Sequence, residues 1–271
     1  MGVYVNPGNE GFRQIVADEY VDKTGLIALV NATIGRPRPL VCVTRPRRFG
    51  KSFSARALVA YYDASCDSRH LFEGLAISGD ASFETHLNAY HVLRLDITSF
   101  TSMLGPEVVP TMVGRVLDDL AHEFPDIDLH DTFDLALLDV VRATGRKFVF
   151  VIDEWDAPLR EADGNVAAKD QWVKFLRLLF KNASFTFEAV ACAYMTGILP
   201  IKKYGTQSAL SDFREYTMLD PDAYAPYVGF TEGEVRALCE RHGMDFAQMQ
   251  RWYHGYDLPG TGPVYAPNSV M

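Results

Sequence analysis

The sequence predicts an α/β fold with a mostly parallel central sheet covered by helices on both faces. Two observations carry that expectation: short, continuous apolar runs rich in β-branched residues, and segments of helical apolar spacing that separate them. Composition is the third. With 271 residues, 48% of them hydrophobic and 12% aromatic, the chain can fill one large core, or one core with a small appendage.

The elements follow in order. An amphipathic opening spans Phe12 to Ala17, and a helix is expected from Thr24 to Asn31. Leu40-Val-Cys-Val-Thr44 reads as a strand buried on both faces, and Ser52 to Tyr62 as the helix after it. His91 to Ile97 is the second strand, followed by helical patterns at Val108 to Phe124 and Thr132 to Ala143. Lys147 to Asp153 is the third strand, Trp172 to Lys181 a helix, and Phe187 to Met195 the fourth strand. Strands alternating with helices argue a parallel sheet. Further on, Thr231-Glu-Gly-Glu234 is a capping box that opens a helix through Arg236 to Arg241, and Asp245 can open another. Residues 222–271 are therefore expected to be a small helical appendage on a core of residues 1–221. The ending at Pro267-Asn-Ser-Val-Met271 resembles a first helical turn and points to truncation before a further domain.

The formal charge of −9 provides no global attraction to nucleic acid or anionic lipid, so any polyanion has to be bound locally. Cys42, Cys66, Cys192 and Cys239 form no CxxC pair, and reduced core thiols are expected. The N-terminus has no signal-peptide core, and the apolar stretch from Ala189 to Ile201 is too short to span a bilayer. A soluble cytoplasmic protein is the expectation. The seven histidines show no metal-site spacing, and no GxSxG elbow supports a hydrolase triad.

Thr44-Arg-Pro-Arg-Arg-Phe-Gly-Lys-Ser52, between a buried strand and a helix, reads as a phosphate-binding loop. Backbone N–H groups and the helix N-terminus converge on phosphate oxygens, Lys51 reaches the β and γ phosphates, and the Ser52 hydroxyl serves Mg²⁺. Arg45, Arg47, Arg48, Phe49, Gly50, Lys51, Ser52 and Phe53 are the candidate nucleotide contacts. Arg45 stands where GxxxxGK[ST] has its first glycine, and Pro46 removes one N–H donor. The bland alternative is a basic surface turn or a nucleic-acid patch formed by Arg45 to Arg48.

A nucleotide loop needs an acid at the end of a neighbouring strand. Asp153 is placed to hold Mg²⁺ through its water shell, and Glu154 to polarise the attacking water as general base. The carboxylates can also be read as helix caps, as can Asp156. A whole strand with its helices lies between Lys51 and Asp153, which fits a P-loop NTPase of the additional-strand, catalytic-glutamate type with a three-layer αβα sandwich. In that class the strand after the acidic one delivers a polar sensor to the γ-phosphate. Thr196 is the candidate, although a Thr-Gly turn closing a strand accounts for it equally well. Trp252-Tyr-His-Gly-Tyr256 can stack a base or form the core of the appendage.

The chain resembles the bacterial and archaeal AAA-ATPase-like family, a group of P-loop ATPase domains usually found N-terminal to a PD-(D/E)xK nuclease-like domain. The resemblance rests on Tyr20-Val-Asp-Lys-Thr24, the Thr44 to Ser52 loop, Asp67 to Gly74, Asp153-Glu-Trp-Asp-Ala-Pro-Leu159, Thr196-Gly-Ile198, Gly229 to Val235, Trp252 to Tyr256 and Val264 to Val270, in that order. RPRRFGKS is itself a family trait, so Arg45 is not decay of the loop. The resemblance implies ATP as the nucleotide, a Walker B pair at Asp153 and Glu154, and a position near the adenine for Tyr20 to Thr24, with Tyr20 and Asp22 as candidate contacts, Asp22 being equally readable as an N-cap. It also implies a nuclease-like effector domain beyond this chain, and an oligomer is compatible with it. Trp155 and Ala157 stand where tyrosine and lysine are common, and Ala266-Pro-Asn268 replaces the usual Asn-Pro-Trp. The function implied is a Mg²⁺-dependent ATPase that switches an attached or partner effector. The alternatives are a binding-only nucleotide regulator and a nucleic-acid module using Arg45 to Arg48; direct nucleic-acid binding by this chain alone is not expected.

Overall fold

The computed structural model describes residues 2–104, 107–161, 165–201 and 210–271. Its centre is one all-parallel sheet of β1 (Leu40–Thr44), β2 (His91–Asp96), β3 (Phe148–Asp153), β4 (Val190–Gly197) and β5 (Arg214–Tyr216), in the order β2-β3-β4-β1-β5. β4 thus separates the two motif strands, as an additional-strand fold requires. Register sets Val43 beside Thr196 and Thr44 beside Gly197, so the ends of β1, β3 and β4 meet at one edge.

Side chains alternate across the sheet because successive Cβ atoms point to opposite faces. In β3, Phe148, Phe150 and Ile152 face one core, while Val149 and Val151 face the other. The second of these cores is closed by α1 (Glu10–Val16), α2 (Gly25–Asn31) and α3 (Lys51–Tyr62), with the short α4 (Arg69–Phe72) and α5 (Phe83–His86) at its rim. α3 is buried almost all round, which its run of small and apolar residues permits. The first core is closed by α6 (Ile97–Leu104), α7 (Val108–Glu123), α8 (Phe133–Thr144), α9 (Ala157–Glu161), α10 (Val166–Phe180) and α11 (Ala183–Ala189). The result is the three-layer sandwich expected from the alternation of elements.

The structure differs from the sequence expectation in four places. The fourth strand begins at Val190, because the Asn182 side chain accepts from Phe185 N–H (3.4 Å) and starts α11 through 187–189. β5 has only three residues and no apolar run, so periodicity gives no sign of it. The appendage is mixed rather than helical. It holds the antiparallel strands β6 (Phe230–Thr231), β7 (Tyr256–Leu258) and β8 (Gly262–Tyr265), in the order β6-β8-β7, with α12 (Glu232–His242), α13 (Phe246–Trp252) and α14 (Pro267–Val270). Finally, Trp252, Tyr253 and Tyr256 are largely exposed and do not form the core of the appendage; Phe230, Val235, Leu238, Cys239, Met249 and Tyr265 do. The capping box is present: Thr231 Oγ1 accepts from Glu234 N–H, and Glu234 Oε2 accepts from Thr231 N–H (2.7 Å). Asp245 caps α13 by accepting from Ala247 N–H (3.0 Å). Among the described residues, no helix is long and apolar enough to cross a membrane.

Candidate functional site

Six residues, 45–50, connect β1 to α3, and two of them make the turn in the left-handed region: Arg48 (φ 71°) and Gly50 (φ 82°). Glycine suits this position because it carries no Cβ penalty there. Phe49, between them, is buried and packs edge-on against Tyr256, with ring centroids 5.4 Å apart. The loop therefore leans on the C-terminal unit. Lys51 is only 4% exposed, and its Nζ donates to Arg45 O and Pro46 O (3.1 Å each) and lies 3.2 Å from Glu154 Oε1. The ammonium has three donors, and all of them are engaged.

The acid side is built at the ends of β3 and β4. Thr196 Oγ1 donates to Asp153 Oδ1 and accepts from Glu154 N–H (3.3 Å), while Thr196 O accepts from Trp155 N–H (2.8 Å). Glu154 has a φ of 53°, a conformation a non-glycine residue adopts only where its surroundings over-determine it. Asp156 is fully buried and accepts from Ile198 N–H and Leu199 N–H (2.9 Å), which ties the exit of β4 to the turn after β3. Arg160, on α9, donates from Nε to Asp156 Oδ2 (3.0 Å) and from Nη2 to Glu154 Oε2 (2.8 Å). Sequence reasoning passed over Arg160. Its signal is the i,i+4 spacing from Asp156, which puts the two side chains on one face of the helix.

A cavity of about 380 Å³ opens beside the loop. Arg47, Arg48, Phe49, Gly50, Lys51, Ser52 and Phe53 form its floor, with Glu154 at one end and Tyr20, Lys23, Leu26 and Ile27 along one wall. The C-terminal unit supplies a second wall, through Tyr227, Gly229, Phe230, Pro267, Asn268 and Met271. No residue of that second wall was picked out as a contact from the sequence, because nothing local marks a residue that arrives more than 170 positions after the loop. Asp153 and Thr196 stand directly behind Glu154 and do not line the cavity.

Two expected contacts are placed elsewhere. Arg45 is fully buried on the far side of the loop, where Nη1 donates to Thr44 O (2.9 Å) and Tyr216 O (3.1 Å). Burial pushes its guanidinium down to about 10, and it borders a separate cavity lined also by Phe213 and Met218. It thus serves as a tie between β1 and β5 and does not reach the first cavity. Asp22 also lies off the cavity: its carboxylate accepts from Thr24 N–H (2.7 Å), Thr24 Oγ1 (2.7 Å) and Ala76 N–H (2.6 Å), which makes it a turn anchor. Its neighbour Lys23, in the same Tyr20 to Thr24 segment, lines the cavity and donates to Glu234 and to Pro226 O (2.7 Å).

Tyr20 lines the cavity and packs edge-on against Phe12. Burial raises its phenol, which remains protonated. Among the described residues no cluster of three or more His, Cys, Asp or Glu gathers as a metal site. Ser52 and Glu154 line the cavity and Asp153 ends β3 next to Glu154; this hydroxyl and these carboxylates are hard oxygen donors of the kind Mg²⁺ takes alongside phosphate oxygens and water.

Three solved structures are similar to the chain at low identity. The Walker-type ATPase PABY2304 of Pyrococcus abyssi has a TM-score of 0.45 and 12% identity, over 87% of this chain and 64% of that one. The Aeropyrum pernix ORC2 protein, in ADPNP–ADP complexes, has a TM-score of 0.43 and 8% identity, over 84% and 55%. PCH-2 of C. elegans has a TM-score of 0.42 and 13% identity, over 88% and 51%. The chain spans less than two thirds of each of these structures. No functionally curated protein matches it significantly. The family described as "Predicted AAA-ATPase" matches residues 8–206, which take in β1 to β4, the loop and the acidic pair, and the chain belongs to this AAA-ATPase-like family.

Proposed function

We propose that the chain is an ATP-binding, Mg²⁺-dependent ATPase module in which residues 1–221 are the catalytic core and residues 222–271 a nucleotide-sensing appendage. The observation that carries this reading is the 3.2 Å approach of Lys51 to Glu154 at the end of a cavity floored by the loop. It joins the phosphate-binding cation to the carboxylate that would activate water. ATP phosphates lie along residues 47–52, where Lys51 supplies charge and the N-terminus of α3 supplies backbone donors. The base lies toward Tyr20. Ser52 would hold Mg²⁺ at the cavity and Asp153, set back behind Glu154, would hold it through its water shell; the ion would supply neutralisation of phosphate charge.

Glu154 takes a proton from water as the water oxygen bonds to the γ-phosphorus. The bond from that phosphorus to the β–γ bridging oxygen breaks, giving ADP and inorganic phosphate. Thr196, hydrogen-bonded to both Asp153 Oδ1 and Glu154 N–H and set back from the cavity, senses the γ-phosphate in this reading through Glu154 and not by direct contact. The effector role is supported by the second wall of the cavity. A nucleotide there touches the C-terminal unit directly, so its hydrolysis is felt by whatever that unit carries or contacts, a nuclease-like domain being one such effector. A cytoplasmic setting agrees with this chemistry.

The test is phosphate release with saturating ATP and Mg²⁺. Glu154→Gln is expected to retain nucleotide affinity while turnover falls by a factor of roughly 100 or more, roughly 100 being the lower end of the range for loss of a general base. Turnover in the wild type no faster than in Glu154→Gln would leave the chain a nucleotide-binding regulator without catalysis.

A further inference from the structure

The Glu154 carboxylate is held from two sides by different cations. Oε1 faces Lys51 at 3.2 Å, and Oε2 accepts from Arg160 Nη2 at 2.8 Å. Only 4%, 17% and 13% of the Lys51, Glu154 and Arg160 side chains are exposed, so neither pair is screened as a surface pair would be. Arg160 is itself immobilised. Its Nε is bonded to Asp156, and the fully buried Asp156 is fixed by two backbone N–H groups beyond β4. A rigid planar guanidinium anchored this way sets the direction of whatever it holds.

The geometry points to Arg160 as the positioning residue of Glu154, and to Oε1 as the atom that takes the proton. The inference rests on the general-base reading above. Phosphates at the loop compete for the Lys51 ammonium. As Lys51 turns to them, Oε1 is freed and faces the cavity, while Oε2 stays on Arg160. Glu154 is therefore paired off until a nucleotide arrives, and it is then released at one oxygen only, already oriented. Lys51 and Arg160 have unequal tasks: Lys51 exchanges between carboxylate and phosphate, and Arg160 does not let go. Both act on the same base, so hydrolysis depends on a residue that touches neither nucleotide nor water.

The experiment compares Arg160→Ala, Arg160→Lys, Glu154→Gln and the Arg160→Ala/Glu154→Gln double variant. It measures thermal unfolding, equilibrium affinity for ATP without Mg²⁺, and kcat and KM for phosphate release. Arg160→Ala is expected to lower kcat at least tenfold with ATP affinity within twofold of wild type, and Arg160→Lys to recover part of the loss. In the Glu154→Gln background, Arg160→Ala is expected to lower turnover no further. If Arg160→Ala does not fold, Arg160→Gln, which keeps much of the side chain and removes the charge, decides by the same split between kcat and affinity. A kcat within twofold of wild type overturns the inference while leaving Glu154 as base. So does a fall in affinity in place of kcat, or an equal fall in both backgrounds. Wild-type turnover in Glu154→Gln overturns both readings.

Discussion

A methyl group added at Gly197 would lie 2.6 Å from Cδ1 and Nε1 of Trp155 and 2.8 Å from Asp156 Oδ1. All three atoms belong to fully buried side chains, so none can move aside cheaply. Gly197→Ala is therefore expected to destabilise the fold by about 1–3 kcal/mol, as overpacked core positions do, and to displace Asp156 from the exit of β4. Urea unfolding measures the first effect, and a wild-type midpoint would remove the close approach from the account. At this scale the sequence was informative where chemistry and spacing coincide: Lys51, Ser52 and Glu154 are recognisable from residue type and motif, and all three reach the cavity. It was uninformative about Arg45 and Asp22, because a motif position does not say which way a side chain turns. Arg45 leaves the loop toward β5, and Asp22 folds back onto Thr24.

Among the elements, β2 forms the edge of the sheet and carries His91 at its first position, 4% exposed. Its Nε2 is bonded to Thr144 Oγ1 (2.9 Å), and Nδ1 faces the Asn6 amide nitrogen (3.3 Å). The Thr144 hydroxyl already donates to Val140 O, and the Asn6 nitrogen can only donate, so the ring is suited to the neutral form, with the proton on Nε2. Burial, with Arg146 nearby, pushes the imidazole down to about 4 from 6.5. The unfolded chain binds this proton first as pH falls, so the contribution is complete above about 6.5 and is lost progressively toward 4. The loss is up to about 3 kcal/mol. Urea midpoints at pH 7.5 and 5 are expected to differ less in His91→Gln than in the wild type; equal slopes would contradict the assignment. Strands of five or six apolar residues such as β1 and β3 were legible in the sequence, whereas β5 to β8, of two to four residues, gave periodicity too little length to register. The beginning of β4 was obscured by α11, whose aromatic residues Phe185 and Phe187 imitate a strand.

In the molecule as a whole, the nucleotide cavity is a junction between two parts of the chain. Lys23 reaches Glu234, which also completes the capping box of α12, and Glu19 pairs with Arg241 and His242 at the other end of that helix. The Glu19 carboxyl is lowered by its hydrogen bond to His242, then by that charge and Arg241. Phe49 meets Tyr256 beneath the loop. These contacts join residues more than 200 positions apart, which is why the layered core was foreseeable from local pattern and the cavity was not. The central claim is that the loop around Lys51 binds the phosphates of ATP, and a calorimetric titration of wild type and Lys51→Ala with ATP and Mg²⁺ tests it most directly. The account predicts binding by the wild type and an affinity at least tenfold weaker in a folded Lys51→Ala. Equal affinities in the two proteins would contradict it.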